Sequence, residues 1–355
     1  MEYPKIRQTA SDAMGESMTQ AEGGEDHPTI IRLAPREEFF NAYWSALDAR
    51  GWTAVVLHSW QDFPERIASD IDYAVTGMGS GELLRFLANF SRARGWRLVQ
   101  VIEHEPGAFY CLCIQADSPF AWLALDVTWD YRRLGHLLVR SEILVSNRRR
   151  VAGKSFAVPA PGGEFCYTLA KGAAKGKDFS LMRDRLAELL AEDSSECCRA
   201  AERAFGDDFP AGSGDVAHLA ALADWFAQAS CFRAVRAGRK LRIREISRYL
   251  RRILRPTGFW LTHPGECGGE GADYLTPAFW RIQRRGRVAL WDLPGLLLRV
   301  IRTTLVIEQK QDRDPAPGRL RSWLGRAVWQ HPSANPGEML EFLAKRVDRR
   351  IAHQR

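Results

Sequence analysis

A net charge of +7 on 355 residues, with 46% of them apolar, is the composition of an ordinary globular chain long enough for two or three domains. Seven cysteines, an odd number without zinc-site or disulfide spacing, argue against a stapled secreted scaffold and suggest a reducing, cytoplasmic location. The most apolar window, Val288 to Ile307, is interrupted by Asp292, Pro294, Arg299 and Arg302, which a lipid-spanning helix would not accept.

In chain order, residues 1 to 30 come first as a tail. Residues 1 to 28 are polar, mixed in charge and rich in Gly, Ser and Glu, with no apolar leader segment, and read as disordered. An α/β unit is expected over residues 31 to 160. A helix over 36 to 50 puts Phe39, Phe40, Tyr43, Trp44 and Leu47 on one face. Strands follow at 53 to 58 and 70 to 76. A helix over 80 to 94 starts at Gly79-Ser80 and stops at Gly95. Three more strands are expected at 96 to 104, 108 to 116 and 120 to 129, the first two joined by a hairpin turn at Glu105-Pro106-Gly107. The sum is an α+β fold, a mixed sheet of about five strands with flanking helices. Tyr131 to Arg140 reads as a further short strand, Ser146 to Arg150 as a basic turn, and Val151 to Val158 as a strand. Pro159 to Gly163 marks a boundary.

Residues 161 to 255 read as a helical domain, with helices at 164 to 174, 178 to 192, 195 to 205, 214 to 229 and 239 to 254. The last is strongly basic: Arg233 to Arg255 holds ten Lys and Arg against one acid, Glu245. Ile243, Ile246, Leu250, Ile253 and Leu254 give it an apolar stripe. The stripe suits packing on a neighbouring domain, and the basic face suits contact with an anion or an anionic membrane. No nucleic-acid reader motif accompanies it, and Tyr249 is the one aromatic among its basic residues, which argues against a nucleic-acid partner. Beyond Gly286 an apolar helix is expected, then a break at Pro315 to Gly318, then helices at Arg319 to Trp329 and Pro336 to His353.

The residues that carry chemistry lie in Ser69-Asp70-Ile71-Asp72-Tyr73-Ala74-Val75. On a strand, Asp70 and Asp72 share one face while Ile71 and Tyr73 turn into a core. Two close carboxylates repel, and a divalent cation held by hard oxygen ligands relieves that repulsion. Asp126, in the apolar strand Leu123-Ala124-Leu125-Asp126-Val127, can complete the set and act as a general base. Asp130, four residues on, has the same parity; only the apolar flanks favour Asp126.

The segment before the acid pair, Ala54-Val55-Val56-Leu57-His58-Ser59-Trp60, is a strand running into a turn. Strand, turn, a dozen residues, Asp-x-Asp and a later acid together resemble the nucleotidyltransferase superfamily that includes DNA polymerase beta. The resemblance implies that Asp70, Asp72 and Asp126 bind metal and that His58-Ser59 stands at the phosphate-holding Gly-Ser turn. Histidine replaces the glycine there. A narrower resemblance is to bacterial polysaccharide-cluster proteins, which fuse such a half to a thymidylate-kinase-like P-loop half and carry histidine at this place. Arg255-Pro256-Thr257-Gly258 corresponds to their junction. His263-Pro264-Gly265-Glu266-Cys267-Gly268-Gly269-Glu270-Gly271-Ala272 keeps the glycines of a P-loop but lacks its lysine and hydroxyl. It reads either as a degenerate P-loop without kinase activity or as an unrelated Gly-rich loop, and residues 256 to 355 as a degenerate, partly helical kinase-like remnant.

Lys171 and Lys175 share a helix face at i, i+4. They suit triphosphate or acceptor binding, and equally suit the negative end of their helix; the resemblance, which places a lysine-bearing helix here, tilts toward binding. The expected activity is Mg²⁺- or Mn²⁺-dependent nucleotidyl transfer from a nucleoside triphosphate to a small-molecule or glycan acceptor. Peripheral contact with a membrane or with polysaccharide-assembly proteins is a further expectation. The rival is a catalytically inactive protein that binds nucleotide or a partner enzyme.

Overall fold

The computed structural model describes residues 34–67, 69–117, 121–210, 212, 214–236, 259–264, 282–285, 305–310, 328–330 and 336–352. Five strands, β1 (Thr53–Val56), β2 (Ile71–Thr76), β3 (Trp96–Glu105), β4 (Ala108–Gln115) and β5 (Trp122–Thr128), form one sheet in the order β1-β2-β5-β4-β3. Only the central pair β2/β5 is parallel; β1/β2, β5/β4 and β4/β3 are antiparallel.

Helix α1 (Pro35–Ala49) begins with proline and has Glu37 and Glu38 in its first turn, both suited to a helix start. It buries Phe39, Phe40, Tyr43, Trp44 and Leu47. Helix α2 (Ser80–Ala93) starts after Gly79 and buries Leu83, Leu84, Leu87 and Phe90. Both join the core formed by Ile71, Tyr73, Val75, Leu123, Leu125 and Val127. The Tyr43 and Tyr73 hydroxyls pair at 2.7 Å inside it, so neither buried oxygen is left bare. Helix α8 (Pro336–Ala352) returns to the same core through Leu340, Leu343, Val347 and Ile351. Arg97 bonds Glu341 at 2.8 Å and Arg92 pairs with Asp348, fixing α8 to β3 and α2.

A second core holds Val55, Leu57 and Ala74 against α3 (Ser141–Val145), α4 (Pro161–Ala174), α5 (Ser180–Phe205), α6 (Val216–Gln228) and α7 (Ser230–Arg236). α5 is two helices across a break at Asp193, whose φ of −155° leaves the helical range and whose carboxylate accepts from the Glu196 amide at 2.8 Å.

Several expected elements are corrected. The single strand over Tyr131 to Arg140 is a hairpin, β6 (Tyr131–Arg133) and β7 (His136–Val139), turning through Leu134 and Gly135 at φ 51° and 76°. The strand over Val151 to Val158 shrinks to β9 (Ala157–Val158), paired with β8 (Arg149–Arg150), because a turn through Gly153 at φ 73° interrupts it. The helix over Arg319 to Trp329 is overturned at its end: Val328–Gln330 is strand β13.

β13 belongs to a second, four-stranded sheet with β10 (Phe259–Pro264), β11 (Ile282–Arg285) and β12 (Leu305–Lys310), in the order β11-β12-β10-β13 with every pairing parallel. Residues 305–307, assigned to an apolar helix, therefore lie in β12. The tail over 1 to 30, the basic helix over 239 to 254, the Arg255–Gly258 junction and residues 265 to 272 of the Gly-rich segment lie outside the described residues. No helix among the described residues is long and apolar enough to cross a membrane.

Phe40 is fully buried between α1 and Phe63 and Phe156. Replacing it with alanine removes ring contacts on three sides, and Phe40→Ala is expected to cost about 3–5 kcal/mol in a urea titration.

Candidate metal and nucleotide site

Parallel pairing sets Asp72 of β2 directly opposite Asp126 of β5. Adjacent strands lie about 4.8 Å apart. Asp70, one residue before β2, has the same parity as Asp72. Asp70, Asp72 and Asp126 each offer one carboxylate oxygen, and these three atoms all lie within 4.8 Å of one another. Among the described residues this is the group of His, Cys, Asp and Glu placed to hold a metal ion. Asp130 is used elsewhere. Its carboxylate accepts from Arg132 at 2.7 Å and from the Ser141 amide at 3.1 Å, tying β6 to the start of α3.

Beyond β1, the Leu57 amide still bonds the Asp72 carbonyl at 2.9 Å, which carries His58 alongside the acids. The chain then turns at Ser59, whose φ of 54° is left-handed. The Ser59 hydroxyl lies 2.8 Å from His58 Nδ1 and is exposed at the rim.

Helix α4 supplies the opposite wall. Tyr167 and Lys171, one turn apart, both reach Asp72 Oδ2: the Lys171 ammonium at 2.7 Å and the Tyr167 hydroxyl at 3.4 Å. His58 Nε2 bonds the same oxygen and also touches Lys171 Nζ. The His58 ring stacks on Tyr167 with centroids 6.0 Å apart, and Tyr131 meets Tyr167 edge-on. Lys175, at the C-cap of α4, contacts none of the three acids in the described structure. Its ammonium is held below its ordinary range by partial burial and by Lys171, and the fields of Asp72 and Asp70 oppose that shift.

The environments pull the three acids apart. Burial alone would raise Asp72, but the His58 hydrogen bond and the Lys171 charge overcome it and hold the carboxyl well below its ordinary range. Burial, then the charges of Asp72 and Asp126, push Asp70 up to about 6. Asp126 is raised by burial and by Asp72, against the opposing pull of His104. His104 Nε2 lies 2.7 Å from Asp126 Oδ1. Burial would lower this imidazole, but the charge and hydrogen bond of Asp126 raise it.

The structure thus brings together Asp70, Asp72, Asp126, His58 and Lys171, sets Ser59 at the rim, and leaves Lys175 within the field of the acids. His104, Tyr167 and Tyr131 escaped the sequence reading. The hairpin register could have found His104, since Ile102 pairs with Tyr110 and Tyr110 with Asp126, and His104 follows two residues later.

An all-oxygen set of three carboxylates suits a hard divalent ion such as Mg²⁺ or Mn²⁺ better than a soft one. The raised Asp70 marks burial first and then repulsion from Asp72 and Asp126, both of which a cation would offset. Comparisons with protein-family models, with curated proteins and with solved structures gave no match.

Two outcomes follow from the charges. Asp70 has a folded value of about 6 against an ordinary 3.8, so the folded metal-free protein holds this proton more tightly than the unfolded chain. The Asp70 contribution to stability is full at low pH and is lost as pH rises through about 6. Mn²⁺, which needs the carboxylate, is expected to bind more tightly as pH rises through the same range, and Asp70→Asn to remove that step; Mn²⁺ paramagnetic resonance titrations read both. Lys171 neutralises the same carboxylate that a metal would use. Lys171→Met is therefore expected to tighten nucleotide-free Mn²⁺ binding by about tenfold, a change equal to about 1.4 kcal/mol. Isothermal calorimetry with Mn²⁺ alone checks the sign.

Proposed function

We propose that this chain is a metal-dependent nucleotidyltransferase. The observation that carries the proposal is the convergence of Asp70, Asp72 and Asp126 within 4.8 Å on adjoining strands, beside a lysine-bearing helix. Asp70 and Asp72 hold Mg²⁺ or Mn²⁺, with Asp126 as the third ligand. When bound, the divalent ion supplies charge neutralisation on the triphosphate. Lys171 and Lys175 face the leaving phosphates, and the His58-Ser59 turn anchors a terminal phosphate. Asp126, raised above its ordinary range, is suited to accept a proton. The acceptor hydroxyl oxygen bonds the α-phosphorus as the bond to the β-phosphate oxygen breaks. Pyrophosphate leaves and the hydroxyl proton passes to Asp126. Positioning and charge account for most of the acceleration.

The acceptor class we favour is a small molecule or glycan of cytoplasmic polysaccharide assembly, with contact to a membrane or to assembly proteins made peripherally. This part rests on the resemblance of residues 40 to 260 to the polysaccharide-cluster proteins. The C-terminal sheet is proposed as a kinase-like remnant without kinase activity, since the segment after β10 lacks lysine and hydroxyl.

One observation favours a second reading. Asp72 is already paired with the Lys171 ammonium and meets His58 Nε2, as in a site that functions without metal. Such a protein would bind nucleotide without turning it over.

Calorimetry with Mg²⁺ and ATP, followed by a pyrophosphate-release assay, separates the two. Release supports transfer, and binding without release supports the binding protein. Because losing an outer-shell partner of a metal already costs 10–100-fold, Asp72→Asn is expected to lower release by about 100-fold or more. Its far-ultraviolet dichroism should match the native chain. Unchanged release in that variant rejects the assignment.

A further inference from the structure

We infer that His104 is a positioning residue for Asp126, holding the third carboxylate in the orientation that a divalent ion requires. The inference rests on the metal-site reading above and adds a residue that reading does not use. β3 and β4 are paired continuously from Gln100–Leu112 to Glu103–Phe109, and pairing resumes at Glu105–Ala108. His104 is the residue left out of the ladder. An extra residue of this kind is common beside active sites. His104 lies two residues beyond Ile102, which pairs with Tyr110 as Tyr110 pairs with Asp126, and its imidazole crosses β4 to Asp126 on β5, where Nε2 meets Oδ1 at 2.7 Å.

The neighbour is used as well. Glu105 accepts the amides of Leu134 and Gly135 at 3.1 and 3.2 Å, bracing the β6–β7 hairpin. The end of β3 therefore holds both the third acid and the loop that follows it.

The tether has a physical task. Asp126 faces two like-charged carboxylates, and repulsion favours a rotamer pointing away from them. A donor fixed to one oxygen blocks that rotation and leaves the other oxygen for a cation. Outer-shell partners that orient ligands in this way affect metal affinity about as strongly as they affect rate.

The test compares two polar replacements that differ in reach. The side-chain amide of His104→Gln lies where Nε2 lies, while that of His104→Asn lies where Nδ1 lies. Mn²⁺ dissociation constants are read by paramagnetic resonance at about pH 7.5 and about pH 8.5, above the ordinary carboxylate range, with urea denaturation confirming each fold. We expect His104→Gln to stay within about threefold of the native chain and His104→Asn to weaken Mn²⁺ by about 10–100-fold at both pH values. His104→Met replaces the Asn variant if that variant does not fold. If the two variants bind Mn²⁺ equally, strongly or weakly, a tether at Nε2 is overturned while the metal site stands. If the native chain binds no Mn²⁺, the metal-site reading falls and this inference with it.

Discussion

The parallel pairing of β2 with β5 is the constraint on which the rest depends. Asp72 opposite Asp126, with Asp70 at the strand entrance, puts three carboxylates where each pair repels by about 3 kcal/mol at an effective dielectric of about 20. The acids do not choose this register. Ile71, Tyr73 and Val75 on β2 and Leu123, Leu125 and Val127 on β5 bury their side chains on the opposite face, against α1 and α2. A slip of one residue would send these six to the acid face and the acids into the core. The apolar layer therefore fixes the register, and the charged layer is its consequence.

The counter-charge comes from a different part of the chain. α4 seats itself by burying Phe165, Cys166, Leu169, Ala170 and Ala173 in the second core. Tyr167, a buried member of the same core, and Lys171, separated by one helical turn, face Asp72. Lys171 is tethered to the acids only while α4 is docked, so the net charge of the site depends on packing between sheet and helices. The imidazoles arrive by separate routes, His58 from the end of β1 and His104 from the end of β3.

The five strands of the first sheet and the helices of its core, α1, α2 and α8, were legible in the sequence, because alternation in Ile71-Asp72-Tyr73 and the 3.6-residue spacing of Phe39, Tyr43 and Leu47 are local signals. Asp70, Asp72 and Asp126 were legible for the same reason: acids in apolar strands stand out. The short elements were not. β6 and β7 hold three and four residues, too few for any period, and their turn rests on Glu105, far upstream. The Asp126–His104 contact spans two strand pairings, β3 with β4 and β4 with β5, and shows only once both registers are set. Val328–Gln330 pairs with β10 across more than sixty residues, and such long-range pairing overrides the local helical pattern that precedes it.

The two functional readings differ in which cation is meant to balance the acids, and the three carboxylates answer unequally. Asp72 has the Lys171 and Tyr167 donors and His58 Nε2 on one oxygen, and Asp126 has an imidazole. Among the described residues no side chain donates to the Asp70 carboxylate, and it stands at about 6 under the burden of burial and of the other two charges. A cluster built only to satisfy itself would neutralise its most strained member first. Here the internal donors settle the two acids on the strands, while the one at the strand entrance has only a backbone hydrogen bond and the charge of Lys171 against burial and the other two carboxylates. A divalent cation at Asp70 would supply the charge that the internal donors do not.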